Sequence, residues 1–214
     1  MRHLLLCAAL LVLAPACSVG GGGEEEQAVV TVGERTISEG EVERALEHFR
    51  EESEREGREF PEEDAPGFER ARNQIVGLLV YRAQIAEGAR RLGVQVSDYE
   101  VERRAERARK GEGEEAEAEG EEGEEAEEYI RDTVRSQRQY VAAYREVTDR
   151  VVVGDPEIAA YYRKNHARFG DRPLRALRAT LAAELLQIKR TRTMNRWVAR
   201  TQRQFPPRYE EGEE

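Results

Sequence analysis

Between residues 28 and 37 the sequence AVVTVGERTI alternates β-prone apolar with polar residues about Gly33-Glu34, the pattern of a short hairpin. Ser38 with Glu41 makes a capping box, and Val42, Ala45, Leu46 and Phe49 then recur at i, i+3, i+4 and i+7. That spacing predicts a helix with one apolar stripe, fraying near Gly57 ahead of Pro61 and Pro66. A second helix is predicted from Phe68 to Leu92. It carries a broad apolar face (Ile75, Leu78, Leu79, Ile85, Ala86, Ala89) and ends on Gly93 as its cap. Ser97 and Glu100 open a third, whose inner side is only Val101, Ala105 and Ala108.

The periodicity then lapses. Residues 111–128 hold eleven glutamates and no base, with nothing apolar large enough to bury. Residues 109–128 therefore read as a disordered acidic insertion. Order is expected again from Tyr129, where Ile130, Val134, Val141 and Tyr144 mark a helix that stops before Val151–Val153. Asp155 as N-cap with Pro156 at the first helical position begins another, through Ile158, Tyr161 and Tyr162, and Gly170 ends the segment after Phe169. A long last helix is predicted from about Pro173 to Phe205 on Leu174, Leu177, Leu181, Leu185 and Ile188, leaving an acidic tail over 206–214.

Ahead of the hairpin, Met1-Arg2-His3 and the apolar run Leu4 to Leu13 lead to Ala14-Pro15-Ala16, the order of a secretory signal peptide over residues 1–16. Ten apolar residues fall well short of the about 20 needed to cross a bilayer as a helix. Cys17 follows directly, and Cys7 lies within the segment that cleavage would remove, so an internal disulfide has no partner. The stretch Leu13-Ala14-Pro15-Ala16-Cys17 resembles a bacterial lipobox, with Pro15 atypical for it. Two readings stand: Cys17 as the lipid attachment site, or as the residue left after ordinary cleavage. Residues 17–27, with Gly20 to Gly23, suit a flexible tether.

Charge changes this picture in one respect. The net −10 comes from the acidic run and from Glu210, Glu211, Glu213 and Glu214, so the remaining chain is net basic. From Arg172 to Arg208 there are ten bases against the single acid Glu184. In an exported chain such a stretch points to anionic lipid, wall polymer or the acidic run itself, and away from nucleic acid. A hydrophobic content of 39% beside 36% charged residues allows a thin core, as in an open helical assembly.

Candidate chemistry is sparse. His48 and His166 have no second ligand at metal-binding spacing, and each reads as a solvated residue sooner than a ligand or base. The serines lack a nucleophile-elbow context, and Ser38 and Ser97 are explained as caps. No glycine-rich phosphate loop follows a strand, so no catalytic residue, cofactor or metal is expected. Tyr161, Tyr162, Phe169 and Trp197 are the candidates for a peptide groove, against the alternative that they are core.

Three segments together resemble a family. The hairpin VVTVGERTI followed by a capped helix, the segment LGVQVSDYEVERR, and VTDRVVVGDPEIAAYYRKNHARF are similar, in that order, to segments of the SurA and PrsA foldases. Tyr161, Tyr162, Asn165 and Phe169 stand at the marked positions of the foldase pattern Y-Y-x-x-N-x-x-x-F. In that family a parvulin-type isomerase domain follows this pattern, whereas here only Gly170 to Arg172 separate Phe169 from Pro173. The resemblance implies a mainly α fold, an open helical chaperone lobe with a short N-terminal β-hairpin. Residues 28–108 and 129–205 would build it. It further implies an extracytoplasmic, membrane-tethered holdase for unfolded or nascent exported polypeptides, without isomerase activity. A prolyl isomerase relic or partner, and an envelope lipoprotein binding anionic polymer through its basic last helix, are the alternatives.

Overall fold

A computed structural model describes residues 27–110 and 124–210. The proposed signal peptide, tether and Cys17, most of the acidic run and the last four residues lie outside the described residues. The fold is mainly α with a small antiparallel sheet, in agreement with the sequence.

Strands β1 (Ala28–Val32) and β2 (Arg35–Ser38) form the expected hairpin, closed by a two-residue turn with Val32 opposite Arg35. Gly33 adopts a φ of 63°, in the left-handed region that favours glycine. Its missing side chain also leaves room for Glu87, whose carboxylate accepts the Glu34 N–H at 3.4 Å. Val30, Val32 and Ile37 point to one face and are fully buried, as period-2 alternation requires.

Helix α1 (Glu39–Arg55) starts from the Ser38 capping box, with Ser38 Oγ accepting the Glu41 N–H and the Glu41 carboxylate accepting the Ser38 N–H. Helix α2 (Phe68–Arg91) is the hub and packs against α1, the sheet and the two helices α4 (Glu124–Thr148) and α6 (Leu174–Gln204). One apolar core joins β1, β2, α1 and α2 to Tyr129 and Phe205. Helix α3 (Asp98–Arg109) lays its small stripe of Val101, Ala105 and Ala108 on Ile130 and Val134 of α4. Ion pairs between the two helices flank that seam: Arg135–Asp98 at 2.9 Å, Arg138–Glu100 at 2.9 Å, Arg109–Glu127 at 3.0 Å and Arg131–Glu102 at 3.8 Å. Helix α5 (Asp155–Lys164) packs on the first half of α6 in a separate cluster around Ile158, Leu177 and Leu181.

Three boundaries differ from expectation. Helix α4 begins at Glu124, five residues before Tyr129, so 124–128 belong to a helix and not to a disordered insertion. Glutamates at a helix start face the positive end of its dipole, and Glu127 and Glu128 find Arg131, Arg109 and Arg44 as partners. Residues 111–123 lie outside the described residues. Helix α5 is capped at Gly154 and not Asp155, its N–H donating to the Glu157 carboxylate at 3.0 Å. Within the expected tail, Arg208–Tyr209 form strand β3, paired to β1 with Tyr209 opposite Val30. The sheet order is therefore β2-β1-β3, and the last turn of the chain closes on its first strand.

Candidate functional site

Helices α1, α2 and α4 do not fill the space between them. They leave an open cleft of about 590 Å³, within the about 300–1,000 Å³ usual for ligand sites. Leu78, Tyr81, Arg82 and Ile85 of α2 form one wall, and His48, Phe49 and Glu52 of α1 another. The third comes from Tyr129, Ile130, Thr133, Val134, Gln137 and Tyr140 of α4. Tyr129 and Tyr140 are eleven residues apart, three helical turns, and so share a face. The lining is mostly apolar and aromatic, with Glu52, Arg82, Thr133 and Gln137 as polar members.

The aromatic groups are held in place by one another and by the polar side chains of the lining. His48 is buried, with its ring 4.2 Å from that of Tyr129 and edge-on to Phe49 at 5.8 Å. Its expected solvation is thus corrected: α4 brings Tyr129 over it, a contact that neighbours in sequence do not reveal. The Arg82 guanidinium sits 5.8 Å from the Tyr129 centroid, and its Nη1 donates to Thr133 Oγ1 at 3.4 Å. Burial, and then the neighbouring Tyr140, push the Tyr81 phenol above its ordinary value, which keeps it a neutral donor at physiological pH. Beside the cleft, burial raises the Glu41 carboxyl against the opposing pull of Arg35.

The four aromatics singled out in sequence lie elsewhere. Three of them meet at the α5–α6 tip, where the Tyr162 and Phe169 rings stack at 5.6 Å and Tyr161 lies 6.5 Å from Phe169. Their polar atoms hold the tip together. Tyr161 Oη donates to Glu184 at 2.7 Å, Tyr162 Oη donates to the Arg172 carbonyl at 2.8 Å, and Asn165 Nδ2 donates to the Tyr161 carbonyl at 2.8 Å. Trp197 is not with them. It lies against Gly88 of α2, far along α6, so the four do not line one surface. His166 stands edge-on to Tyr162 at 5.4 Å.

Among the described residues no cluster of three or more His, Cys, Asp or Glu could hold a metal ion. What the cleft can do is take up apolar and aromatic side chains and hydrogen-bond an adjoining backbone. Sequence reasoning missed it, although the spacing Tyr129, Thr133, Gln137, Tyr140 on one face of α4 was a signal that more than a core stripe was present.

A family model described as SurA-like N-terminal domain matches residues 3–110, about half of the 214-residue chain. No curated protein and no solved structure gave a significant match.

Proposed function

Because the chain belongs to the SurA-like N-terminal domain family, a chaperone-type domain with a folding-related role in the cell envelope, we propose that it is an exported holdase whose clients enter the α1–α2–α4 cleft. The observation that carries this reading is the open, aromatic-lined cleft itself. A concave, largely apolar and aromatic cleft of this volume with a few polar groups in its lining is the usual form of a binding site. Unfolded chains present what it would accept: scattered apolar side chains next to unpaired backbone groups. Tyr81 and Tyr140 add hydroxyls for that backbone, and tyrosine binds adaptably at small entropic cost.

No step of this activity needs a reacting group, which accords with the chaperone-type character of the family. Client uptake would rest on burial at about 25 cal/mol per Å² of apolar surface, less the ordering of the client. Membrane tethering through Cys17 belongs to the same reading, supported by the sequence order of apolar run, small residues and glycine-rich spacer. No helix among the described residues is long and apolar enough to cross a membrane. Mass spectrometry of the native protein would find an acylated Cys17, and an unmodified one would remove the tether from the proposal.

The direct test is light scattering of a chemically unfolded reporter diluted into buffer. The chain at comparable concentration is expected to delay and reduce aggregation, while peptide proline isomerisation in its presence stays at the uncatalysed rate. Unchanged aggregation at excess chain would refute the holdase reading.

A further inference from the structure

The second half of α6 carries four arginines, Arg192, Arg196, Arg200 and Arg203, all exposed. At 3.6 residues per turn they fall within a sector of about 80° and extend over about 16 Å. Met194 and Thr201, buried on α6 in the same stretch, occupy the opposite side, so the arginines face away from the body. Among the described residues none of the four makes an ion pair, although Arg196 donates to Thr193 Oγ1 at 3.3 Å. Elsewhere on the surface the cations are commonly matched: Arg178 pairs with Asp155, and Lys189 pairs with Glu157 at 2.7 Å. The stripe is thus a straight, outward, uncompensated row of fixed guanidinium charges.

Its position relative to the chain's start gives it a partner. Strand β3 follows α6 at once and pairs with β1, so the C-terminal end of the stripe and the point where the chain enters the fold share one end of the molecule. Ahead of that entry lies the apolar run Leu4 to Leu13, with thirteen residues between Leu13 and Gln27. Their contour is at most about 45 Å, so a membrane contact at Cys17 keeps the point of entry within that distance of the bilayer and the adjoining end of the stripe close to it.

We infer that the Arg192, Arg196, Arg200 and Arg203 face docks on the anionic headgroups of a lipid bilayer. Charge complementarity supplies the attraction, at about 1 kcal/mol for each arginine brought to an anionic surface. Docking through this face leaves the α1–α2–α4 cleft unoccupied, since no residue of the stripe lines it. The inference does not depend on client binding, and either can fail alone.

The test is cosedimentation of the full chain with vesicles of phosphatidylcholine, with and without about one third phosphatidylglycerol. The probe compares wild type with the quadruple variant R192Q/R196Q/R200Q/R203Q. Because the N-terminal segment is present in both, its own partitioning cancels. The stripe variant is expected to lose several-hundredfold in partitioning to the anionic vesicles at low salt, from about 1 kcal/mol per arginine and tenfold per 1.4 kcal/mol. Binding to pure phosphatidylcholine should not change. The difference should shrink steeply by 0.5 M salt as screening shortens. A control variant neutralises Arg103, Arg107, Arg150 and Arg163, exposed residues on other elements, and has the same net charge. It should bind within a few-fold of wild type. Equal losses in the two variants would reduce the effect to net charge and overturn the assignment, as would an unchanged stripe variant. Soluble polyglutamate binding the stripe more tightly than the vesicles would replace the membrane with an acidic polypeptide. Should the quadruple variant melt below wild type, the double variant R196Q/R200Q decides on the same readings, with a loss of about tenfold or more expected.

Discussion

Two glycines of α2 make opposite predictions. A methyl group at Gly88 would come within 2.7 Å of Thr201 Cγ2 and 2.8 Å of Trp197 Cζ2, both on α6. Thr201 is β-branched and buried, so neither neighbour can step aside cheaply. Gly77, on the same helix, is exposed and has nothing within 4 Å. Gly88→Ala is expected to destabilise by about 1–3 kcal/mol through overpacking. Gly77→Ala should stabilise by up to about 1 kcal/mol, the helix-propensity gain of alanine over glycine. Urea denaturation of both variants checks the pair, and a Gly88→Ala protein as stable as Gly77→Ala would show that α2 and α6 do not meet at this glycine. Sequence alone offered no way to separate the two positions, because the close approach comes from a partner more than a hundred residues away. His48 teaches the same lesson: its glutamate-rich sequence neighbourhood suggested solvent, and only α4 makes it a buried ring.

At the scale of elements, what was legible is what is local. The capping box at Ser38, the Ser97 N-cap, the Gly33-Glu34 turn and the 3.6-residue stripes place the hairpin and the helices because those signals act within a turn or two. The start of α4 was missed, since its first residues contribute charge and no stripe. Strand β3 was missed because two residues beside Pro206-Pro207 have no pattern of their own and become a strand only against β1. The α5–α6 arm depends on one carboxylate in a way that pH can read. Glu157 accepts the Gly154 N–H first and Lys189 Nζ second, and both hold its carboxyl below the usual 4.5. A depressed carboxyl contributes stability that is present above its unfolded value and lost as pH falls through the folded one. The stability advantage of wild type over Glu157→Gln, followed by thermal melts, should therefore hold at neutral pH and vanish progressively below pH 4.5. Glu41, raised by burial, acts with the opposite sign: its contribution grows as pH falls from neutral towards 4.5. A wild-type advantage that grows on acidification would contradict the arrangement around Glu157.

On the scale of the whole molecule, the end of the chain completes a core begun at its start. Phe205 is buried in the cluster of β1, β2, α1 and α2, with Arg91 4.9 Å over its ring. Its carbonyl accepts Gln84 Nε2 at 2.9 Å, and the Glu210 N–H returns to the Val29 carbonyl at 3.1 Å. Ending the chain at Gln204 removes all of these, and the loss of the phenylalanine alone is worth about 3–5 kcal/mol. The truncated protein should unfold at clearly lower denaturant, and an unshifted midpoint would mean that α6 and the N-terminal hairpin are independent. None of residues 205–210 lines the cleft, so this closure ties α6 to the hairpin while the cleft among α1, α2 and α4 stays open. The tip aromatics stood out in sequence because they fall within one short segment, and the cleft aromatics did not because they are spread over α1, α2 and α4.

The central claim is that unfolded clients enter that cleft. Photo-crosslinking tests it most directly, with benzoylphenylalanine placed at Tyr140, at the rim of the cleft and 38% exposed, or at Tyr99, outside it and 77% exposed. A chemically unfolded polypeptide should crosslink strongly from position 140 and weakly from position 99, and the same polypeptide once folded from neither. Crosslinking that follows exposure, stronger from 99 than from 140, would contradict the account.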